Sequence, residues 1–249
     1  MTTHKEIFDE TRKIFKKRKP KAVTISLVST LVKVAVYFAI ITAQFLCAQV
    51  WGTGFIYGAP GIIFYLLYIA AFVFVHIPIN TGAGVCYAKI AMRHKVKVDE
   101  VFAYFKQMKK AIRCQLPVAI KVAAVVLALY FIGQILSGVL VIGGFAVGSA
   151  VWLFVMAVIA LAMLACAAAI IISNSAITYI LAKEPEVSPR KTVRMARNIM
   201  RYRSMDMFAL YLRAIPRFLF GIITFGIGFI WTTPFINILN KRFIRYFCD

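Results

Sequence analysis

Acidic side chains are scarce in this chain and absent where ion coupling would need them. Nine Asp and Glu stand against 30 Lys and Arg. None of the nine lies in the three long apolar stretches, Val34–Ala88, Val122–Ala182 and Phe218–Asn240. Proton- and cation-coupled transporters usually carry the ion on intramembrane carboxylates, so this lack counts against that class. The five cysteines are odd in number and show no CxxC spacing. Three sit in apolar segments, where a thiol behaves as a small hydrophobe, which argues against a disulfide framework or a thiolate metal site. There is no phosphate-cradling Gly loop with Lys, no HExxH and no Ser-His-Asp set. The acids left for catalysis, Asp99, Glu100, Glu184 and Glu186, lie between the apolar stretches, and the first two read as helix-start acids favoured by the helix dipole. No enzymatic activity, cofactor or metal site is expected. His76 is the one histidine in an apolar stretch and, lacking acidic partners, reads as structural.

The three stretches also contain no Lys or Arg, and the first two run to 55 and 61 residues. One crossing of a bilayer takes about 20 apolar residues, so each is long enough for two. The composition agrees: 62% hydrophobic and 16% charged, against roughly half and a quarter in soluble domains. A net charge of +21 raises nucleic acid as a partner, but the cations flank apolar segments instead of forming one stripe, so none is expected. The first 21 residues are too polar for the core of a cleaved signal, and Thr24–Val50 reads as an uncleaved first span.

Residues 1–21 form a basic cytoplasmic amphipathic tail. Ile7, Phe8, Thr11, Ile14 and Phe15 recur at helical spacing, with Lys13, Lys16 and Lys17 turned away. Two readings fit: a helix lying on an anionic membrane face, or a disordered basic tail. Residues 22–249 form the transmembrane domain, with cytoplasmic segments at about 91–115 and 183–206. Span two starts at Gly61 and is kinked or broken at Pro78. Arg93–Arg113 carries an apolar stripe of Val98, Val101, Phe102, Phe105 and Met108, which reads as one amphipathic surface helix. Span three starts near Leu116, and span four covers Ala150–Ile172. Ser188 and Pro189 make an N-cap and first-turn pair for a helix running to about Arg203.

The C-terminal part admits one span or two. Basic residues favour the cytoplasmic side, and six spans place every basic group there, including Lys241, Arg242 and Arg245. The expected fold is therefore all-α, a polytopic membrane protein of six transmembrane helices arranged as three hairpins, with both termini cytoplasmic. Spans five and six are Met207–Phe225 and Phe229–Phe247, joined at Gly226–Gly228. The hairpin exits look alike: Asn80-Thr81-Gly82-Ala83-Gly84 then Tyr87, and Ser173-Asn174-Ser175-Ala176 then Tyr179. Aromatics follow Pro78 and Pro234 by nine positions, which fits a parallel repeat as well as it fits chance.

Lys33, Lys121, Arg213 and Arg217 are charged residues within the spans, each two or three turns from a cytoplasmic end. A charge at the bilayer centre costs about 2.5–3.5 kcal/mol on insertion scales. One reading is snorkelling to the headgroups. The other is a cationic cluster facing the bundle interior that holds an anionic lipid or phosphate. Arg213 and Arg217 share a helix face, and Asp206, seven residues earlier, is in register to pair with Arg213. Gln44, Gln49 and Gln134 read as bridges between helices.

The run Glu184-Pro185, Ser188, Arg197, Phe208-Ala209-Leu210-Tyr211-Leu212, then Phe225-Gly226-Ile227-Gly228-Phe229-Ile230-Trp231-Thr232-Thr233-Pro234 resembles a family of bacterial integral membrane proteins, domain of unknown function 975. More distantly it resembles the membrane domain fused to some glycerophosphodiester phosphodiesterases. The resemblance covers about 65 residues. The family often has Ser-Phe and Trp in the fifth span, where this chain has Arg213-Ala214 and Arg217, and usually Tyr where it has Phe235 after the proline. The resemblance implies a six-helix protein of the bacterial cytoplasmic (inner) membrane and no particular activity. Function is then expected to be non-enzymatic: engagement of anionic membrane lipid or a lipid-linked phosphate from the cytoplasmic leaflet, in transport or envelope maintenance. The alternatives are a scaffold or accessory subunit that binds a membrane-protein partner through small-residue faces such as Gly82–Gly84, and an anion channel or exporter.

Overall fold

A computed structural model describes residues 4–52, 58–144, 147–224 and 228–248. All the regular structure among them is helical. The helices are α1 (His4–Trp51), α2 (Ala59–Ala71), α3 (Ile77–Ala91), α4 (Ala103–Lys106), α5 (Met108–Ile142), α6 (Ala150–Ser173), α7 (Ile177–Lys183), α8 (Pro189–Met200), α9 (Ser204–Ile223) and α10 (Phe229–Cys248). Four helical stretches among the described residues are long and apolar enough to cross a membrane: His4–Val50, Gly61–Ala91, Met108–Ile142 and Ala150–Lys183. The remaining long helices, α9 and α10, have 20 residues each and carry Arg213 and Arg217, and Lys241, Arg242 and Arg245, respectively. The Gly226–Gly228 turn expected between them lies mostly outside the described residues.

The apolar parts of α1, α2, α5 and α6 have few partners. Phe38, Phe45, Phe154 and Leu161 are all more than half exposed, an apolar surface suited to lipid and not to water. Tyr68 of α2 donates to Gln44 Oε1 of α1 at 3.0 Å, and Trp152 of α6 donates to Ser137 Oγ of α5 at 2.8 Å. The buried core is gathered instead around the charged ends of these helices. It joins α3, α7 and the inner faces of α8, α9 and α10 with the first turns of α1.

Three local expectations change. The N-terminal tail and first span are one helix, bent at Arg18 (φ −120°, ψ 16°) just before Pro20. Its apolar stripe faces protein and not lipid: Ile7, Thr11 and Ile14 are buried, and Phe8 and Phe15 meet the ring of Phe235 edge-on. At Pro78 the expected kink or break narrows: the span is not broken there and continues to Ala91. A π-helical turn at Phe72–His76 precedes the proline, and such a bulge absorbs the register change caused by a missing amide donor. The Arg93–Arg113 segment is not one helix. A 3₁₀ turn (Val98–Phe102) leads into α4, and Gln107 (φ −112°, ψ 36°) separates α4 from α5. Core packing of Val96, Val101 and Tyr104 outweighs the helical periodicity of the stripe.

Helix α3 sits at the centre, packed on α1, α5, α7, α10 and the 3₁₀ turn. Its last turn closes as a Schellman motif: Arg93 (φ 67°) donates to Ile90 O and His94 donates to Lys89 O. Guanidinium groups take up neighbouring carbonyls. Arg18 donates to Arg93 O and His94 O, and Arg242 and Arg245 donate to Ala91 O at 3.5 and 3.4 Å. Cations are favoured at a helix C-terminus, where carbonyls lack partners and the dipole is negative. Two glycines allow the close packing. A Cβ on Gly82 would lie 2.0 Å from the carbonyl oxygen of Val101, and one on Gly84 would lie 2.7 Å from the Thr178 side chain. The small-residue face is therefore occupied from within the chain.

Glu100 fastens the 3₁₀ turn, accepting from Lys97 N at 3.1 Å and from Lys89 Nζ. Partial burial pushes its carboxyl up, but the Lys89 and Lys97 hydrogen bonds and charges outweigh this and hold it below its ordinary value. Such a lowered value stabilises the fold above the unfolded pKa of about 4.3, and the contribution is lost as pH falls through the folded value. Glu100→Gln is expected to cost about 1 kcal/mol at neutral pH, and the difference should vanish in acid; thermal unfolding of the detergent-solubilised protein across pH 3 to 7 measures it. Gly82→Ala is expected to cost about 1–3 kcal/mol by overpacking against backbone. Gly138→Ala, with nothing within 4 Å of the new Cβ, should leave the same transition unchanged or raise it.

Candidate functional site

The helices contribute short polar stripes to a common space. On α1, Ser26, Ser29, Thr30 and Lys33 fall at i, i+3, i+4 and i+7, the spacing of one helix face. On α3 Asn80, Gly84 and Tyr87 do the same, and on α10 so do Thr233, Asn237, Asn240 and Lys241. Gln115 of α5, Asn174 and Ser175 of the α6–α7 turn and Thr178 of α7 complete the wall. Together these residues line a cavity of about 360 Å³. The lining residues of α1, α3, α5 and α10 lie toward the ends of those helices that carry basic residues.

Lys33 Nζ donates to Asn80 Oδ1 at 3.0 Å. Lys241 Nζ donates to the Ser175 carbonyl at 2.6 Å, and the Lys241 side chain is 4% exposed. An ammonium has three donors; among the described residues only Ser175 partners Lys241. Asn240 Nδ2 donates to Tyr211 Oη at 3.0 Å, while its buried Oδ1 has no partner among the described residues. Two lysine amines thus face a wall of amides, hydroxyls and backbone that includes no carboxylate. Keeping a buried amine charged without a counter-ion is costly, so an anion with several acceptor oxygens is the group that would favour the charged form in this space.

The residues singled out from the sequence are dispersed. Lys33 is in the cavity. Lys121 and Arg213 are exposed. Arg217 is half-buried, its guanidinium 3.5 Å from the ring centre of Phe235 and 4.8 Å from that of Phe8, so it clamps α1, α9 and α10 through cation–π contacts. Asp206 lies 3.9 Å from His4 Nε2. His76 stacks on Phe72 at 5.1 Å. Among the described residues no group of three or more His, Cys, Asp or Glu gathers as a metal site would.

Sequence reading overlooked Lys241, which it grouped with Arg242 and Arg245 in a basic tail, and assigned Asn174 and Asn240 no ligand role. The available signal was the set of polar stripes: four polar residues on one face of a helix, once in α1 and again in α10.

Comparison with curated proteins and with solved structures gave no match. Comparison with protein families matched residues 1–247 to the protein of unknown function DUF975. That match takes in nearly the whole chain, its N-terminal helix and every element of the cavity wall, and the chain belongs to the DUF975 family.

Proposed function

We propose that this protein is a non-enzymatic component of the bacterial cytoplasmic membrane that binds the phosphate of an anionic or phosphate-linked lipid from the cytoplasmic leaflet, in transport or envelope maintenance. In this reading α9 and α10 complete six crossings as three hairpins, with both termini in the cytoplasm. The positive-inside rule supports that orientation, because every basic group then lies on one side. It also puts the cavity at the depth of the inner-leaflet headgroups.

The observation that carries the proposal is the buried Lys241 amine facing, with Lys33, a polar cavity whose lining includes no carboxylate. Phosphate supplies the missing negative charge and acceptor oxygens together, and charge-assisted hydrogen bonds are the stronger kind. The Asn80 amide, whose Oδ1 accepts from Lys33, has its Nδ2 left to donate to it, while the amides of Asn174 and Asn240 already donate to Ile170 O and Tyr211 Oη. Amides and hydroxyls recognise a headgroup without moving a proton, which supports binding over catalysis.

Lipid mass spectrometry of the protein purified from membranes tests this. Lys33→Met and Lys241→Met are each expected to lower co-purifying anionic lipid about tenfold, the loss of roughly 1.4 kcal/mol. Lys121→Met and Arg213→Met, which change exposed cations, should leave it unchanged. Equal lipid content in all four variants would sink the proposal.

A further inference from the structure

The polar cavity runs into an apolar groove. Asn80, Gln115, Val118 and Ile171 line both spaces. The groove holds about 510 Å³ and is otherwise walled by Phe72, His76 and Ile77 on one side and Val122, Ala123 and Val126 of α5 on the other. His76 presents a ring stacked on Phe72, so that wall is largely flat and aromatic. Val118, Val122 and Val126 recur every four residues and form a ridge about 12 Å long at roughly 1.5 Å of rise per residue.

Resting on the phosphate-binding reading above, we infer that the ligand is an amphiphile whose phosphate occupies the Lys33–Lys241 cavity and whose hydrocarbon chain lies in the groove between the Phe72–Ile77 segment and α5. Polarity and direction both support this occupant. The cavity lies beside the basic ends of the helices, and the groove leads from it along α5 away from Arg113, into the charge-free part of the helix. A lipid in the inner leaflet has the same order, with its headgroup at the basic surface and its chain toward the bilayer centre. Asn80 and Gln115 stand at the junction, where a glycerol or similar polar linker would sit. A chain gains little on leaving other lipid chains, so the groove contributes shape, and the two ammonium groups contribute the preference for phosphate.

The test is competition for fluorescent phosphatidic acid bound to the full-length protein in neutral detergent. Unlabelled phosphatidic acid should displace it, while glycerol 3-phosphate, which lacks chains, and diacylglycerol, which lacks phosphate, should each compete at least about tenfold less well. Filling the groove by Val126→Trp, or by the smaller change Ala123→Leu, should weaken phosphatidic acid about tenfold. Leu161→Trp, at an exposed position of α6, should not. If glycerol 3-phosphate competes as well as phosphatidic acid and both groove variants bind normally, the chain assignment is overturned and the phosphate site stands. If diacylglycerol competes equally and Lys33→Met binds normally, the phosphate reading falls, and this inference with it.

Discussion

Too few carboxylates for the cations is the constraint from which most of this structure follows. With 30 Lys and Arg and nine Asp and Glu, ion pairs can satisfy only a minority of the positive charges. Lys89 with Glu100 and Arg242 with Glu10 are two of the pairs formed. The other cations use weaker acceptors. Arg18, Arg242 and Arg245 hold carbonyls at the end of α3, Lys110 holds Pro185 O and Lys183 holds Cys248 O. Ring faces serve as well, with Arg203 over Phe247 and Arg217 over Phe235, both at 3.5 Å. Helix ends and aromatic rings therefore do the work that acids do in most soluble proteins, and the tightly packed region falls where the cations are.

This explains an otherwise odd distribution of order. The long apolar helices pack in pairs, α5 against α6 and α1 against α2, and leave the rest of their surface open, because lipid is as good an apolar environment as another helix and gives no hydrophobic drive to associate further. Packing concentrates at their basic ends, where unpaired helix-terminal carbonyls have to be satisfied. Helix α3 is the hub. Its terminus is held by residues from α1 and α10, and its glycines let the Val101 carbonyl and Thr178 approach within the reach of a single methyl group. The cavity is the space that remains inside this ring of fastened helix ends.

Parts of this were legible in the sequence for a simple reason. Charge-free runs longer than a bilayer crossing have few alternatives, so α1, α2 with α3, α5 and α6 could be read from composition. The Ser188-Pro189 start of α8 was equally local. The fragments between Arg93 and Gln107 were not legible, because periodicity reports a face and not what lies against it. Val101 and Tyr104 are buried by α3 and the core, and that packing broke the expected helix. Lys241 was hidden by its neighbours. Beside Arg242 and Arg245 it looks like one more interfacial cation, although its position four residues after Asn237 places it on the polar face of α10.

Lys33 and Lys121 show how much helical phase decides. Both are lysines within apolar spans, a few turns from a basic end, and composition cannot separate them. Lys121 follows Val118 by three residues, but the groove-lining side of α5 continues through Val122, and Lys121 is left exposed with a flexible stem that can reach the headgroups. Lys33 continues the stripe Ser26, Ser29 and Thr30 and so turns inward to Asn80. Lys241 faces the same space from α10 with even less exposure. Burying an ammonium costs several kcal/mol unless a partner supplies charge and acceptors. A single carbonyl from Ser175 supplies some acceptor capacity and no charge. In the proposed reading the lipid phosphate supplies both, and ionisable groups inside membrane domains most often mark a site of function.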